Sequence, residues 1–267
     1  MWRDKREPVY RFMEFRVLGC HGGESPKHRS SSFLIDGRLA VDAGAVTSML
    51  SLQEQKQVRS VLVSHPHMDH VRDLASLADN RCQQDGEPIE IVATKSTIDT
   101  LKRHFFNDRL WPDFSKIQTS HGPTVRFRDI ALEKTAKVCG YDITPVAVTH
   151  SVDTSAFLIH GSAGTIAYSG DTGPTERFWE VVNTCEDLKA LVVEVSFPNE
   201  HHRLALDSLH LTPETLAKEL EKLQQPKQLP VFLFHIKPVF EAAVERQLTD
   251  IKTRDLSILR LNDRLQF

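Results

Sequence analysis

Apolar and polar positions change their period along this chain, and the changes mark out its elements. Phe12 to Cys20 alternates as a half-buried strand does and ends in the glycine-rich turn Gly19-Cys20-His21-Gly22-Gly23. Ser30 to Ile35 and Leu39 to Val41 read as strands joined by the hairpin dipeptide Asp36-Gly37. Thr47 to Val58 has helical spacing, Arg59 to Ser64 is an apolar run fit for a buried strand, and Val71 to Arg81 sets Val71, Leu74, Leu77 and Ala78 on one helical face. Ile89 to Thr94 and Ser96 to Phe106 repeat the strand and helix rhythm. Asn107 to His121, with Trp111-Pro112-Asp113-Phe114, keeps no clean period. It is expected to be an irregular active-site flap, its aromatics either stacking on a ligand base or forming a small satellite core.

The second half follows the same plan. Thr124 to Glu133 and Tyr141 to Thr149 are predicted strands, and Ser155 to His160 pairs with Thr165 to Ser169 around Gly161-Ser162-Ala163-Gly164. Pro174 opens a helix to Thr184, Ala190 to Val195 is a strand, Thr212-Pro213 opens a helix to Leu223, and Pro230 to Phe234 is a strand before a closing helix and strand. No short repeat and no low-complexity tract interrupts the pattern. The expectation is a single α/β domain over residues 1–267, two sheets packed together with helices outside.

Composition narrows the partners. With 40% apolar and 26% charged residues among 267, the chain has the make-up of an ordinary globular protein. Lys plus Arg number 33 against 36 Asp plus Glu, a formal charge of −3, so no global electrostatic case for nucleic acid exists. Cys20, Cys82, Cys139 and Cys185 lack any paired spacing, which argues for reduced thiols and a cytoplasmic protein rather than a disulfide framework. The charged start Met1 to Glu7 has no signal-like apolar segment, and no run of about 18 apolar residues predicts a membrane span.

The chemistry concentrates at His65-Pro66-His67-Met68-Asp69-His70, directly after the apolar Val61-Leu62-Val63. His65 and His67, two apart on extended chain, project to one side and can share a cation, while Asp69 and His70 follow as the chain turns and can reach a second. Imidazoles with a carboxylate suit Zn²⁺, with Mn²⁺ or Fe as alternatives. A polar turn with clustered histidines is the ordinary reading, and the density of ligand types outweighs it. His150, Asp171 in Gly170-Asp171-Thr172-Gly173, and His235 each stand at or just past a predicted strand end. Singly these are common turn residues; together with the opening cluster they are expected on one edge of the scaffold. Asp42, in Asp42-Ala43-Gly44, either caps a helix or buttresses a ligating histidine.

From Asp42 to His235 this arrangement resembles the metallo-β-lactamase superfamily. The resemblance implies a four-layer αββα sandwich and two divalent transition metals, His65, His67 and His150 holding one, Asp69, His70 and His235 the other, and Asp171 bridging them. Leu18-Gly19-Cys20-His21-Gly22-Gly23, Ser31-Ser32-Phe33-Leu34, Ser155-Ala156-Phe157-Leu158-Ile159, Gly170-Asp171-Thr172-Gly173-Pro174, Glu194-Val195-Ser196-Phe197 and His235-Ile236-Lys237-Pro238 look like class II 3′,5′-cyclic-nucleotide phosphodiesterases. That likeness implies hydrolysis of cAMP or cGMP, a small-molecule substrate, to the 5′-nucleotide by a metal-bridging hydroxide. Asp69, Glu194 and His210 of His210-Leu211-Thr212 would be catalytic, His210 as general acid oriented by Glu194; otherwise His210 merely precedes a helix cap at Thr212. Lys237 is expected either to meet a phosphate oxygen or to be a solvated lysine. Met68 and Asp73 depart from the class pattern, which prefers Leu and a small residue there. A tRNA 3′-processing endonuclease of the ribonuclease Z type shares the Glu and His features but needs a docking arm, and no insertion supplies one. A non-catalytic metal or nucleotide sensor would lack a ligand, whereas every position is filled. The likeness also admits a homodimer, although no apolar stripe demands one.

Overall fold

The computed structural model describes residues 12–267, so the predicted absence of a signal at Met1 to Glu7 lies outside the described residues. In chain order come β1 (Glu14–Gly19), β2 (Ser32–Ile35), β3 (Leu39–Val41), α1 (Val46–Met49), α2 (Leu52–Gln55), β4 (Ser60–Leu62), α3 (Met68–Val71), α4 (Leu74–Gln83), β5 (Ile89–Ala93), α5 (Lys95–Thr100), β6 (Gln118–Thr119), β7 (Gly122–Pro123) and β8 (Val125–Asp129). There follow β9 (Ala136–Val138), β10 (Tyr141–Val148), β11 (Thr154–Gly161), β12 (Gly164–Tyr168), α6 (Arg177–Asn183), β13 (Leu188–Glu194), α7 (His202–Ser208), α8 (Pro213–Leu220), β14 (Val231–Phe234), α9 (Glu241–Leu248), β15 (Leu256–Ile258) and β16 (Arg264–Gln266).

One sheet has the order β16-β1-β2-β3-β4-β5-β8 and the other β15-β14-β13-β12-β11-β10-β9. Successive strand residues face opposite ways, and the packing follows. Val41, Leu62, Tyr168, Val192 and Phe234 meet between the sheets. Ala40, Val61 and Val63 point outward under Leu74, Leu77 and Ala78 of α4. On the far side Ala167, Leu191, Val193 and Leu233 lie under Phe178 of α6, Leu216 of α8 and Val244 of α9. This is the expected αββα sandwich. Central strands buried on both faces read as unbroken apolar runs, which is why Val61-Leu62-Val63 and Leu191-Val192-Val193 contain no polar position.

Strand direction places the chemistry. β3, β4 and β5 are parallel, as are β12, β13 and β14, and β10 runs with β12 because each pairs antiparallel with β11. Their carboxyl ends deliver Asp42, His65, His150, Asp171, Glu194 and His235.

Several boundaries differ from the sequence reading. The helix expected over Thr47 to Val58 breaks into α1 and α2 because Ser51 starts a new helix: its hydroxyl accepts from Glu54 N while Glu54 accepts from Ser51 N at 2.8 Å. The helix expected from Ser96 to Phe106 ends at Thr100 and widens into a π turn over Leu101–Phe105, and the helix placed at Pro174 begins at Arg177. Helix α7, whose apolar residues Leu204, Ala205 and Leu206 are consecutive instead of helically spaced, had no counterpart in the pattern. The segment Asn107 to His121 is not an active-site flap. Phe114 is buried with Phe105 and Phe106 in the helical layer, Trp111 donates its indole N–H to Ala75 O at 3.2 Å, and Ser120 is tied to Asp85 past the end of α4. The satellite-core alternative is the correct one. Asp73, the departure from the class pattern, accepts from Thr47 N and Thr47 Oγ1 at 2.8 and 2.7 Å. It therefore caps α1 and joins it to the start of α4. All four cysteines are free, and among the described residues no helix is long and apolar enough to cross a membrane.

Candidate metal centre

Seven side chains picked out in the sequence converge on one point. His65 Nε2 lies 3.0 Å from His67 Nδ1, which is 3.3 Å from His150 Nε2. His70 Nε2 lies 3.4 Å from His235 Nε2, and His235 Nε2 is 3.3 Å from Asp69 Oδ2. Asp171 sits between the two groups, its Oδ2 at 3.7 Å from His65, 3.2 Å from His70 and 3.1 Å from His235. His65, His70 and His235 are fully buried.

The hydrogen bonds behind these rings explain their aim. Ser64 Oγ has one proton, which goes to Asp42 Oδ2 at 2.8 Å, so it accepts from His65 Nδ1–H at 2.9 Å. The buried Asp42 also accepts from His70 Nδ1–H at 2.8 Å, Ser64 N at 2.8 Å and Tyr168 Oη at 2.7 Å. Across the centre the same device recurs: Ser196 Oγ donates to Glu194 Oε2 at 3.0 Å and accepts from His235 Nδ1–H at 2.9 Å. His150 Nδ1–H donates to Leu209 O at 3.1 Å. Four imidazoles thus give away the Nδ1 proton and turn Nε2 inward, while His67 presents Nδ1.

This arrangement fits a cation. The inward nitrogens of His65, His67 and His150, 3.0 and 3.3 Å apart in turn, repel one another when no proton is shared unless a positive charge lies between them. Asp171 Oδ1 is buried without any hydrogen-bond partner, a vacancy that a neutral site leaves costly. His65-His67-His150, His65-His70-Asp171 and Asp69-His70-His235 each bring ligand atoms close enough to hold a metal. Burial is the main reason His65, His67, His150 and His235 are held below the usual histidine pKa, neutral and able to ligate. For His70 burial pushes down, but Asp171 and Asp42 on its two sides outweigh it and raise the pKa well above the ordinary value. Burial likewise opposes ionisation of Asp171, and the charges of His235 and His70 overcome it. A cation at the centre would displace the His70 Nε2 proton, so binding weakens as pH falls.

Asp42 is the buttress of the two sequence alternatives rather than a helix cap: its carboxylate touches His70, Ser64 and Tyr168. Asp42→Asn, which cannot accept from all these donors, is expected to weaken metal binding about 10- to 100-fold. Equilibrium dialysis with zinc at several free concentrations checks it. An unchanged dissociation constant would reduce Asp42 to a packing role.

Beside the convergent groups lies a second pair. The Glu194 carboxylate, completely buried, accepts from His210 Nδ1–H at 2.7 Å and from Thr172 N at 3.1 Å. His210 stacks on His235 with ring centroids 5.1 Å apart and lies 5.0 Å from the His150 ring. Burial pushes the His210 pKa down, yet Glu194 more than reverses this and leaves it raised. The positive charge of Lys237 acts to lower the pKa of both His210 and His235. Sequence reasoning assigned nothing to Ser64 and Ser196; both adjoin ligand motifs, but a serine at a strand end carries no signal until its partner rings are located. A glycine matters here as well: a Cβ on Gly44 would lie 2.1 Å from Asp69 O, so only glycine lets α3 approach β3 this closely.

A cleft of about 740 Å³ opens next to His150, bordered by Thr94, Leu132, Val152 and Thr154. A cavity of similar size, about 750 Å³, lies at the opposite strand edge around Arg16, Asp36 and Arg59, remote from every one of these groups.

Comparison with known families settles the fold's kinship. The family described as Beta-lactamase superfamily domain matches residues 33–236. The chain belongs to that superfamily. A Yersinia pestis member described as a probable 3′,5′-cyclic-nucleotide phosphodiesterase is 30% identical over 234 residues, 77% of this chain and 65% of that protein. Among solved structures, unliganded yeast PDE1 superposes with a TM-score of 0.81 at 20% identity, covering 96% of this chain and 99% of that one. The metallo-beta-lactamase fold protein YhfI from Bacillus subtilis does so with a TM-score of 0.76 at 16% identity, covering 95% and 99%. The chain spans less than two thirds of the length of the curated relatives it matches, 65%, 62% and 53%.

Proposed function

We propose that this superfamily member, acting as one domain in the cytoplasm, is a metal-dependent phosphodiesterase that opens a 3′,5′-cyclic nucleotide to the 5′-nucleotide. The observation that carries the reading is a buried histidine–glutamate pair set against a convergent ligand cluster: His210 Nδ1 at 2.7 Å from Glu194 beside rings that all aim at Asp171. The description of the Yersinia pestis relative supports the substrate class.

In this reading His65, His67 and His150 hold one divalent cation, Asp69, His70 and His235 a second, and Asp171 both, with zinc suited to the donor set and manganese or iron as alternatives. Bound there, the cations supply Lewis acidity and bring a water's pKa toward neutrality. The chain's own groups do the rest. Asp42, Ser64 and Ser196 keep the rings in one tautomer and one orientation. Lys237 draws a phosphate oxygen toward the cluster. Glu194 accepts the Nδ1 proton of His210 and raises its pKa, so the protonated ring carries an Nε2–H that is available for transfer. As a water oxygen, its proton lost to solvent, bonds to phosphorus and the P–O3′ bond breaks, the Nε2 proton passes to O3′, which leaves as a hydroxyl instead of an alkoxide. The cleft of about 740 Å³ beside His150 is large enough for a nucleoside.

The test is a panel of cAMP, cGMP, a 2′,3′-cyclic nucleotide, bis-p-nitrophenyl phosphate and a pre-tRNA, each with and without chelator. Turnover of a 3′,5′-cyclic nucleotide to the 5′-nucleotide, abolished by chelation, is expected. Processing of the pre-tRNA with no cyclic-nucleotide turnover would replace this reading with the endonuclease.

A further inference from the structure

A second set of ligand-type groups lies outside the centre described above. His21 and His28 flank the loop between β1 and β2, and Glu241 is the first residue of α9. His28 Nε2 is 3.2 Å from Glu241 Oε2 and His21 Nε2 is 3.8 Å from Glu241 Oε1, although 213 positions separate His28 from Glu241. The two rings meet edge to face with centroids 4.7 Å apart.

We propose that His21, His28 and Glu241 form a separate metal site, for Zn²⁺ or a cation of similar softness, that fastens the β1–β2 loop to the start of α9. The arrangement of the back sides of the rings carries this. His21 Nδ1 lies 3.3 Å from both the carbonyl oxygen and the N–H of Arg29, and His28 Nδ1 meets the hydroxyl of Ser25. Each ring thus has a polar partner at Nδ1 and turns Nε2 toward the same carboxylate, the disposition in which ligating imidazoles are held elsewhere. Arg260 Nη1 occupies Glu241 Oε1 at 2.9 Å, which leaves Oε2 as the ligand atom and supplies the carboxylate's orientation. Two imidazoles and one carboxylate are an established zinc donor set, with the fourth position open to water.

The position of the site gives it a use. Gly22 N donates to Ile236 O at 3.2 Å, and a Cβ on Gly22 would lie 2.6 Å from His235 O. The loop thus lies directly against the segment bearing His235 and Lys237, and a cation pinning it to α9 would hold that side of the first centre in place.

The test compares bound zinc in the full-length wild type, His28→Ala and Glu241→Gln by equilibrium dialysis at equal free Zn²⁺. His28 is partly exposed and Glu241→Gln keeps the shape that Arg260 contacts. Each variant is expected to bind about one zinc per chain fewer than the wild type. In Asp171→Ala that zinc should persist, because the site shares no ligand with the first centre. Equal stoichiometry in the wild type and both variants overturns the proposal. Should either variant fail to fold, zinc-edge anomalous scattering from wild-type crystals decides: a peak between the two Nε2 atoms supports the site, and no peak there overturns it.

Discussion

Asp171→Ala is expected to lower kcat/KM for a 3′,5′-cyclic nucleotide by at least about 10³-fold, or about 4 kcal/mol of transition-state stabilisation. In the proposed site it should also lose at least one of about two bound metals. The reason lies in a position no other side chain shares. Its Oδ2 is within 3.7 Å of His65, His70 and His235, rings that arrive from different sheets, and its Oδ1 has no partner at all. Removing the carboxylate leaves the two halves of the cluster with nothing to join them. It also leaves His70, now raised in pKa by Asp171 and Asp42, with one acid in place of two. Metal analysis and steady-state kinetics on the same preparation check both effects. A variant with its full metal complement and activity within about tenfold of wild type would remove the bridging role.

His210→Ala should behave differently, and the contrast is diagnostic. Its ring stacks on His235 but is held by Glu194, so its loss should leave metal content unchanged. Hydrolysis of a cyclic nucleotide, whose O3′ departs as a poor leaving group, is expected to fall about 10²- to 10⁴-fold. Hydrolysis of bis-p-nitrophenyl phosphate should fall far less, because nitrophenolate leaves without a proton. Equal losses on the two substrates would refute the general-acid assignment. His210 is a cleaner probe than Glu194, since Glu194 also accepts from Ser196, which orients His235; a Glu194 variant would disturb proton delivery and the ligand cluster together.

Much of the architecture was legible because its physics is local. Strands buried on both faces appear as unbroken apolar stretches such as Val61-Leu62-Val63, and the ligand-type residues come directly after them. Helix boundaries were less legible. The break at Ser51 depends on a reciprocal bond with Glu54 that competes with continuing the helix, and the apolar residues of α7, Leu204, Ala205 and Leu206, are consecutive rather than spaced along one helical face. Asn107 to His121 was misread because an aperiodic segment with aromatics looks alike whether it covers a ligand or, as Trp111 and Phe114 do, a flank of the helical layer.

By itself the sequence determined which residues could do chemistry and at which strand ends they stand, since period and punctuation are properties of neighbours along the chain. Only the tertiary structure decided what each one faces. Asp73 turned out to cap α1, Asp42 to hold His70, Ser64 and Ser196 to carry the protons behind two rings, and His28 to meet Glu241 from 213 positions away. Those pairings depend on how two twisted sheets stack and which strand edges coincide, and that is set by the summed packing of the whole core rather than by any short stretch of it.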